Sequence, residues 1–377
     1  MKFAAPSKKF TRLFALLSSF LLLPGLSADQ LSTWSSQNSG STNDFFAITY
    51  GNGTFVAVGI NGQLFSSTDG MIWTPQSSGT TNDLEGVTYG NGLFVAVGEN
   101  GSVRTSTNGT TWRGYLSGFN GAFHAVTYAN GLYVAVGFGG MVATSVTATN
   151  WTLTNSPTAN SLQAVIWAQG MYLASGFSGT ILTSTDGSNW TNQVSGSVNA
   201  LHTLAYGAGT FLAAGFTGEV LTSPDGLTWT KQSSGTTNSP LRAAIYTNSN
   251  FVVAGFRGTI ISSPDGTNWT ARSSGVTSAL RAIAYGADAL VAAGHNGRIL
   301  RTASLVSPTL TGVHFNANTT GFSFDTVNGL TYRVEYINHL SDSSWTLLNT
   351  MNGTGASIPV NDWTATMPAR FYRVSVQ

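Results

Sequence analysis

The apolar residues of this chain are grouped in short segments that recur at a nearly constant interval. A six-residue segment that begins with Phe or Leu and ends with Tyr or Trp occurs seven times. Each copy is followed by a short turn and a second, mostly apolar segment, and tryptophans are spaced by 39 residues five times and by 40 once. A repeat of this length predicts a β-propeller or a solenoid. The first segments are Phe45–Tyr50, Leu84–Tyr89, Phe123–Tyr128, Leu162–Trp167, Leu201–Tyr206, Leu241–Tyr246 and Leu280–Tyr285.

One repeat unit divides into four strands. Leu84–Tyr89 is the first strand, and a Gly-Asn-Gly turn follows it. Leu93–Val97 is the second strand, and its continuous apolar sequence predicts burial on both faces. Ser102–Ser106 is the third strand, and the fourth begins at Trp112. Four short antiparallel strands in about 40 residues are typical of one propeller blade.

The number of strands predicts how the ring closes. The first three strands occur seven times, and the last copy, Leu280–Arg301, has no fourth strand after it. The missing strand is present near the other end of the chain, as Ser32–Gln37. Pairing these two segments leaves no open sheet edge. The sequence therefore predicts an all-β fold, a seven-bladed β-propeller over residues 29–305 whose N-terminal strand closes the last blade.

Most repeats contain a turn in which Ser, any residue, Asp or Asn, and Gly precede a tryptophan. The Asp and Ser side chains can bond to backbone groups inside a tight turn, and Gly permits a positive φ. The tryptophan supplies a large apolar surface between blades. We therefore interpret these residues as structural. They are Asp69, Asn108, Asp186, Asp225 and Asp265, with Trp73, Trp112, Trp190, Trp229 and Trp269.

These turns resemble Asp-box (BNR) repeats, which occur in sialidase-like propellers and in the propeller family that includes the photosystem II assembly factor. The resemblance covers residues 31–304. It implies a propeller fold and, from the assembly-factor family, a protein partner. From the sialidases it implies a glycoside hydrolase with three arginines on a substrate carboxylate, for which Arg242, Arg257 and Arg281 are the candidates.

The two ends of the chain do not continue the repeat. Residues 1–28 have the form of a signal peptide, with a basic head, the apolar segment Leu13–Leu23 and small residues up to Ala28. We expect a secreted, periplasmic or cell-surface protein with no membrane span after cleavage. Residues 306–377 contain six short predicted strands and resemble a small fibronectin-III-like β-sandwich, an adhesion or spacer domain, with Pro308 near its boundary.

Removing the signal peptide changes the sign of the net charge. The chain has 16 basic and 15 acidic residues, and the first 28 residues contain four basic and no acidic ones. The remainder has 12 basic and 15 acidic residues, a net charge of −3, which gives no support for nucleic-acid binding. The chain has no cysteine, which excludes disulfides and thiolate metal sites. We expect a monomer without cofactors.

One register of the first strands differs between repeats and is mostly polar. Because the first strand of a blade is innermost, residues four positions before the terminal aromatic should surround one mouth of the channel. The turns between second and third strands lie on the same face and add Glu99, Arg257, His295 and Asn296. The ring positions are Phe46, Glu85, His124, Gln163, His202, Arg242 and Arg281.

Positive charge is concentrated on one side of this ring. Arg242, Arg257, Arg281 and His295 belong to the sixth and seventh blades. Arginine pairs bind carboxylates and sulfates through paired hydrogen bonds. We therefore predict a ligand site for an acidic glycan or peptide at the polar ring positions together with Arg257 and His295. The alternative is a water-filled channel mouth whose polar side chains are only solvated.

Two further features favour structural interpretations. Phe138, Phe177, Phe216 and Phe256 each directly follow a glycine in the second turn, and we expect them to pack between blades; the alternative is a surface that stacks on a sugar or peptide. His124 and His202 could join Glu85 at a metal ion, but they lack metal-ligand spacing, and no metal site is predicted.

Three functions fit this sequence. The first is a secreted, non-catalytic binding propeller for a protein or glycan. The second is a sialidase-like glycoside hydrolase, which needs two suitably spaced carboxyl groups or a tyrosine nucleophile. The third is a structural surface or matrix protein, in which the sandwich attaches and the propeller is displayed.

Overall fold

The computed structural model describes residues 31, 33–302, 310–316, 319–326, 331–338, 344–363 and 371–376. The predicted signal peptide and the predicted boundary between residues 305 and 306 lie outside these residues. Within the described ranges, no helix is both long and apolar enough to cross a membrane.

The seven sequence repeats form seven four-stranded antiparallel sheets, which are the blades of the propeller. Blade one contains β2 (Phe45–Gly51), β3 (Thr54–Gly59), β4 (Leu64–Ser67) and β5 (Thr74–Gln76). Blade two contains β6 (Leu84–Gly90), β7 (Leu93–Gly98), β8 (Ser102–Ser106) and β9 (Arg113–Leu116). Blade three contains β10 (Phe123–Ala129), β11 (Leu132–Gly137), β12 (Val142–Ser145) and β13 (Thr152–Thr154). Blade four contains β14 (Leu162–Ala168), β15 (Met171–Gly176), β16 (Ile181–Ser184) and β17 (Thr191–Gln193).

The remaining blades follow the same order. Blade five contains β18 (Leu201–Gly207), β19 (Thr210–Gly215), β20 (Val220–Ser223) and β21 (Thr230–Gln232). Blade six contains β22 (Leu241–Thr247), β23 (Asn250–Gly255), β24 (Ile260–Ser263) and β25 (Thr270–Arg272). Blade seven contains β26 (Leu280–Gly286), β27 (Ala289–Gly294), β28 (Ile299–Thr302) and β1 (Trp34–Gln37). A 3-10 turn joins the second and third strands of each blade, at Ile60–Gly62, Glu99–Gly101, Phe138–Gly140, Phe177–Gly179, Phe216–Gly218, Phe256–Gly258 and His295–Gly297.

The N-terminal strand closes the ring in blade seven. β1 pairs antiparallel with β28, from Trp34 opposite Thr302 to Gln37 opposite Ile299. The first strands of neighbouring blades contact one another, including β2 against β26, so they surround the channel. The prediction of a seven-bladed propeller closed by its N-terminal strand is confirmed. The fourth strand of blade two begins at Arg113, one residue later than predicted, because Trp112 still belongs to the turn and donates to the Gly109 carbonyl.

The hydrophobic core lies between the blades. Each of the seven propeller clusters combines buried residues of two neighbouring blades, as Val95 and Val97 of β7 do with Phe123 and Val126 of β10. The second strands are buried along almost their whole length. Burial of apolar area at about 25 cal/mol per Å² is the main favourable contribution to such an assembly. The repeat tryptophans lie in these clusters or against them.

The turn between third and fourth strands is closed by its own side chains. In blade one, Asp69 Oδ1 accepts from the N–H groups of Met71 and Ile72 at 2.8 and 3.0 Å. Ser67 Oγ accepts from Gly70 N–H at 2.8 Å, and Trp73 Nε1 donates to the Gly70 carbonyl at 3.1 Å. We call this the Ser-Asp turn. The same carboxylate or amide oxygen bonds occur at Asn108, Asp186, Asp225 and Asp265.

The C-terminal strands form two three-stranded antiparallel sheets. One sheet has the order β29 (Leu310–Asn316), β30 (Thr319–Asp325), β33 (Ser357–Asp362). The other has the order β32 (Thr346–Asn352), β31 (Thr331–Ile337), β34 (Phe371–Val376). Phe322, Phe324 and Val360 of the first sheet share a buried cluster with Tyr332 and Val334 of the second. The two sheets therefore pack face to face as a small sandwich.

Candidate ligand-binding cavity at the channel mouth

Every first strand has a β-bulge near its beginning. In blade two, Leu84 pairs with Gly98 and Gly86 pairs with Val97, so Glu85 is an extra residue in the ladder. The same register shift occurs in the other six blades. A bulge changes the direction of the side chain it carries. The seven ring positions defined above are the seven bulge residues.

The ring positions surround one cavity of about 230 Å³. Asp83, which the ring register does not include, also lines this cavity, and its Oδ1 accepts from the backbone N–H of Asn61 in the preceding blade at 2.7 Å. Its sequence signal is its place immediately before β6. The complete lining is Phe46, Asp83, Glu85, His124, Gln163, His202, Arg242 and Arg281.

The cavity is basic on the side of blades five to seven. Arg242 lies 5.2 Å from the centre of the Phe256 ring, and Arg281 lies 5.0 Å from the centre of the Phe46 ring. Burial, and secondly Arg281, lowers the pKa of Arg242 to about 10. Burial and then both arginines lower the pKa of His202 to about 3, so its ring is neutral at pH 7.

This basic side has unused hydrogen-bonding capacity. The Nε atoms of Arg242 and Arg281 and the Nε2 atom of His202 are buried without a hydrogen-bond partner in the described part of the chain. Among the same residues, neither arginine forms an ion pair. Buried donors without acceptors cost free energy. This side of the cavity is therefore suited to an anionic ligand.

The opposite side of the cavity is acidic. Burial, followed by repulsion from Glu99 and Asp83, raises the pKa of Glu85 to about 7, although Arg281 acts in the other direction. His124 Nε2 lies 3.8 Å from Glu85 Oε2, and burial lowers the pKa of His124. The cavity therefore has a permanent positive side and an acidic side whose charge changes near neutral pH.

Two of the predicted site residues do not line the cavity. Arg257 is the central residue of its 3-10 turn, with φ of +55°, and its side chain is exposed. His295 lies above Asp44, with Nε2 3.5 Å from Oδ2, and its ring is 5.8 Å from that of Phe256. The cavity thus contains two arginines, and the three-arginine arrangement implied by the sialidase resemblance is not assembled.

The phenylalanines of the second turns do not pack between blades as expected. Phe138, Phe177 and Phe216 are 66, 45 and 49% exposed, because each begins a 3-10 turn at the surface. We call these three residues the aromatic arc. The arc reaches the cavity at Phe177, whose ring lies 6.1 Å from the His202 ring. Only Phe256 is half-buried, against Arg242 and His295.

No group of three or more His, Asp or Glu side chains suited to a metal ion occurs among the described residues. His124 instead directs Nδ1 at the Leu162 carbonyl, 2.9 Å away, and contacts Gln163. The arrangement can provide cationic donors, an acid that titrates near neutral pH, and an exposed apolar surface beside them.

Fold and cavity together define a seven-bladed β-propeller with a polar site at one channel mouth. Solved structures with this architecture include "YCF48 bound to D1 peptide", 19% identical with a TM-score of 0.60 over 72% of this chain and 95% of that one. YCF48 from Cyanidioschyzon merolae is 16% identical, with a TM-score of 0.59 over 71% and 98%. The WD40 propeller domain of Doa1 is 11% identical, with a TM-score of 0.57 over 72% and 97%. At these identities the likeness is one of fold. No protein-family model matches the sequence, and no curated protein matches it.

Proposed function

We propose that this protein is a secreted, non-catalytic binding propeller that holds the carboxylate of an acidic peptide or glycan in the channel-mouth cavity. The observation that carries the proposal is the pair of arginines, Arg242 and Arg281, on one cavity wall. Both Nε donors are buried and lack partners among the described residues. A carboxylate would supply the missing acceptors and the missing negative charge.

Two further observations support a ligand larger than a free anion. The aromatic arc extends the site across blades three to five and offers apolar contact area for a peptide side chain or a sugar ring. One of the structurally similar propellers, YCF48, has been solved with a peptide bound. The Ser-Asp turns support a relationship to Asp-box propellers, in which case these turns maintain the ring while the variable face binds the ligand.

The segments on either side of the propeller serve export and attachment. Residues 1–28 direct export and are removed. The six-stranded C-terminal sandwich, with its fibronectin-III-like strand content, acts as an adhesion domain or spacer. Its small buried cluster shows that it has a core of its own.

The test is binding of carboxylate probes by calorimetry. The probes are a peptide with a free C-terminus, the same peptide amidated, and the acidic trisaccharide sialyllactose. The variant is R242Q/R281Q, since glutamine occupies the same ring position in blade four, as Gln163. Loss of two charge-assisted contacts should weaken binding at least about tenfold. N192A, on an exposed fourth strand, is the control.

Two results would contradict the proposal. One is unchanged affinity of the R242Q/R281Q variant. The other is turnover of a fluorogenic sialoside that is lost in the same variant, which would favour the glycosidase alternative instead.

A further inference from the structure

The blades can be compared with one another at a second polar position, on the same face of the ring as the channel-mouth cavity. In most blades, the residue that begins the third strand or immediately precedes it bonds to the connection arriving from the previous blade. These polar pairs are Gln63 with Ser41, Ser102 with Asn82, Thr180 with Asn160, Glu219 with Asn199, and Thr259 with Ser239, at 2.7 to 3.1 Å. In each pair, the two side chains form a hydrogen bond with each other and so join neighbouring blades.

Blade seven departs from this pattern. Its corresponding residues are Arg298 and Ser278, and they do not bond to each other. Arg298 Nε and Ser278 Oγ are both buried without a hydrogen-bond partner among the described residues. The only side-chain bond of Arg298 in that part of the chain is a 3.3 Å contact from Nη1 to Ser36 Oγ. Blade seven therefore has an arginine where five other blades have Gln, Ser, Thr, Glu and Thr in these pairs and blade three has Met141, and the Nε donor of Arg298 is unused.

A second arginine faces the same place. Arg272 ends the fourth strand of blade six, where blades one, four and five have glutamine. Those glutamines, Gln76, Gln193 and Gln232, donate to a third-strand hydroxyl at 2.8 to 2.9 Å. Arg272 Nε keeps this bond, to Ser262 Oγ at 2.9 Å. The substitution therefore retains the structural contact and adds a positive charge.

Both arginines line one groove of about 840 Å³ at the seam between blades six and seven, which we call the seam groove. Among the described residues, none that lines the groove is acidic. In blade five the position of Arg298 is occupied by Glu219, which is paired with Lys231 of the same blade at 2.9 Å. The seam-groove lining is Ser36, Gly258, Arg272, Ser273, Ser274, Gly275, Val276, Thr277, Ser278, Asn296 and Arg298.

We propose that the seam groove binds a tetrahedral oxyanion, the sulfate or phosphate group of an ester. Arg272, Arg298 and the hydroxyls of Ser36 and Ser278 come from three separate segments of the chain and lie around the same groove. A carboxylate has two oxygens in one plane and takes donors that lie close to that plane, whereas a tetrahedral dianion uses donors placed around it. The unpartnered Nε of Arg298 and Oγ of Ser278 are the atoms such a group would engage. This site is separate from the channel-mouth cavity.

The test uses inorganic sulfate and inorganic phosphate as probes, with binding followed by calorimetry on the intact chain. The variants are R298T and R272Q, which introduce the residues that blades six and one have at these positions, and the ring should accept them. We expect at least about a tenfold loss of sulfate or phosphate affinity in the double variant. R113Q, at an exposed arginine of blade two, controls for the loss of positive charge in general.

The outcomes separate this site from the proposed carboxylate cavity. R242Q/R281Q should retain sulfate and phosphate binding, while R272Q/R298T should retain binding of the carboxylate probes. Stronger binding of sulfate than phosphate would point to sulfated ligands, and the reverse to phosphorylated ones. Equal affinity for acetate and sulfate would overturn the tetrahedral assignment. Unchanged sulfate and phosphate affinity in R272Q/R298T, or no measurable binding of either anion by the natural sequence, would overturn the site itself.

Discussion

At the scale of single residues, the sequence register identifies which side chains vary between blades. It does not predict the backbone geometry that directs them into one cavity. Counting back from the terminal aromatic identified Phe46 to Arg281 as equivalent positions. The bulge that carries each of them left no sequence signal, since it depends on how Leu84 and Gly86 pair with β7. The missing partners of Arg242 and Arg281 likewise became visible only with neighbouring blades in place. The expectation that Phe138, Phe177 and Phe216 pack between blades is wrong, because a glycine followed by an aromatic residue is compatible with a buried or an exposed ring.

Glu85 should make both stability and ligand binding depend on pH. Its pKa is raised from 4.5 to about 7 in the folded chain. Between these values the folded state binds the proton more tightly, so stability falls as pH rises through this window and levels off above pH 7. Protonation also removes a negative charge facing the arginines, so carboxylate affinity should increase as pH falls through 7.

The measurement is denaturant unfolding of the natural sequence and of E85Q between pH 4.5 and 8.5. E85Q should lose this part of the pH dependence and gain at most about 3 kcal/mol at pH 8. Identical pH profiles for the two proteins would show that Glu85 titrates normally.

The aromatic arc should contribute to binding and little to stability. Phe177 and Phe216 are about half exposed, so replacing both with serine removes little buried area. Peptide or glycan affinity should fall by about threefold to tenfold per ring if the rings stack on the ligand. I72S, in a Ser-Asp turn on the opposite face and 75% exposed, is the matched control. A large drop in melting temperature for F177S/F216S would instead return these rings to a packing role.

At the scale of the element, the Ser-Asp turn occurs in five blades with small differences in sequence, and those differences show which of its features are needed. Asn108 makes the same two backbone contacts as Asp69, at 3.0 and 2.9 Å. The oxygen therefore matters for the turn more than the charge does. Such local side-chain chemistry is readable from sequence because it involves residues only two or three positions apart. The inter-blade pairs are not readable in this way, because their partners are about 20 residues apart.

Asp69 provides the test of this turn. D69A removes the acceptor for Met71 and Ile72 and should destabilise the propeller by about 1–2 kcal/mol, as loss of a helix cap does. D69N should be close to the natural sequence, because Asn108 already serves in blade two. Chemical denaturation of both variants measures the difference. Equal destabilisation by alanine and asparagine would mean that the carboxylate charge, not its hydrogen bonds, stabilises the turn.

At the scale of the whole molecule, the ring was predictable because strand number and closure are countable in the sequence. The last and first blades are also joined by a side-chain contact that the strand count does not predict. Arg301 of β28 is 4% exposed, and its Nε donates to the Asp69 carbonyl of blade one at 2.8 Å. Nothing in the repeat pattern marks this arginine, since its role depends on a contact across the closing seam. The ring is therefore closed in two ways. β1 pairs with β28 inside blade seven, and the buried Arg301 side chain joins blade seven to blade one.

The closing strand β1 should be required for the stability of the whole ring. Starting the chain at Asn38 removes β1, the four-residue pairing with β28, and the contact from Ser35 Oγ to the Arg301 carbonyl. It also removes the side chains of Leu31 and Trp34 from the hydrophobic cluster between blades six and seven, which leaves the rest of that cluster exposed. An open sheet edge and a cavity in that cluster together should lower the melting temperature by at least about 10 °C and promote association. Calorimetry and light scattering measure these effects. A chain starting at Asp29, the product that the proposed export would give, retains β1 and is the reference for the shortened chain. A synthetic peptide covering residues 29–37 should restore the melting temperature of the shortened chain. If the shortened chain is as stable as the longer one, β1 adds a strand to blade seven without securing the ring.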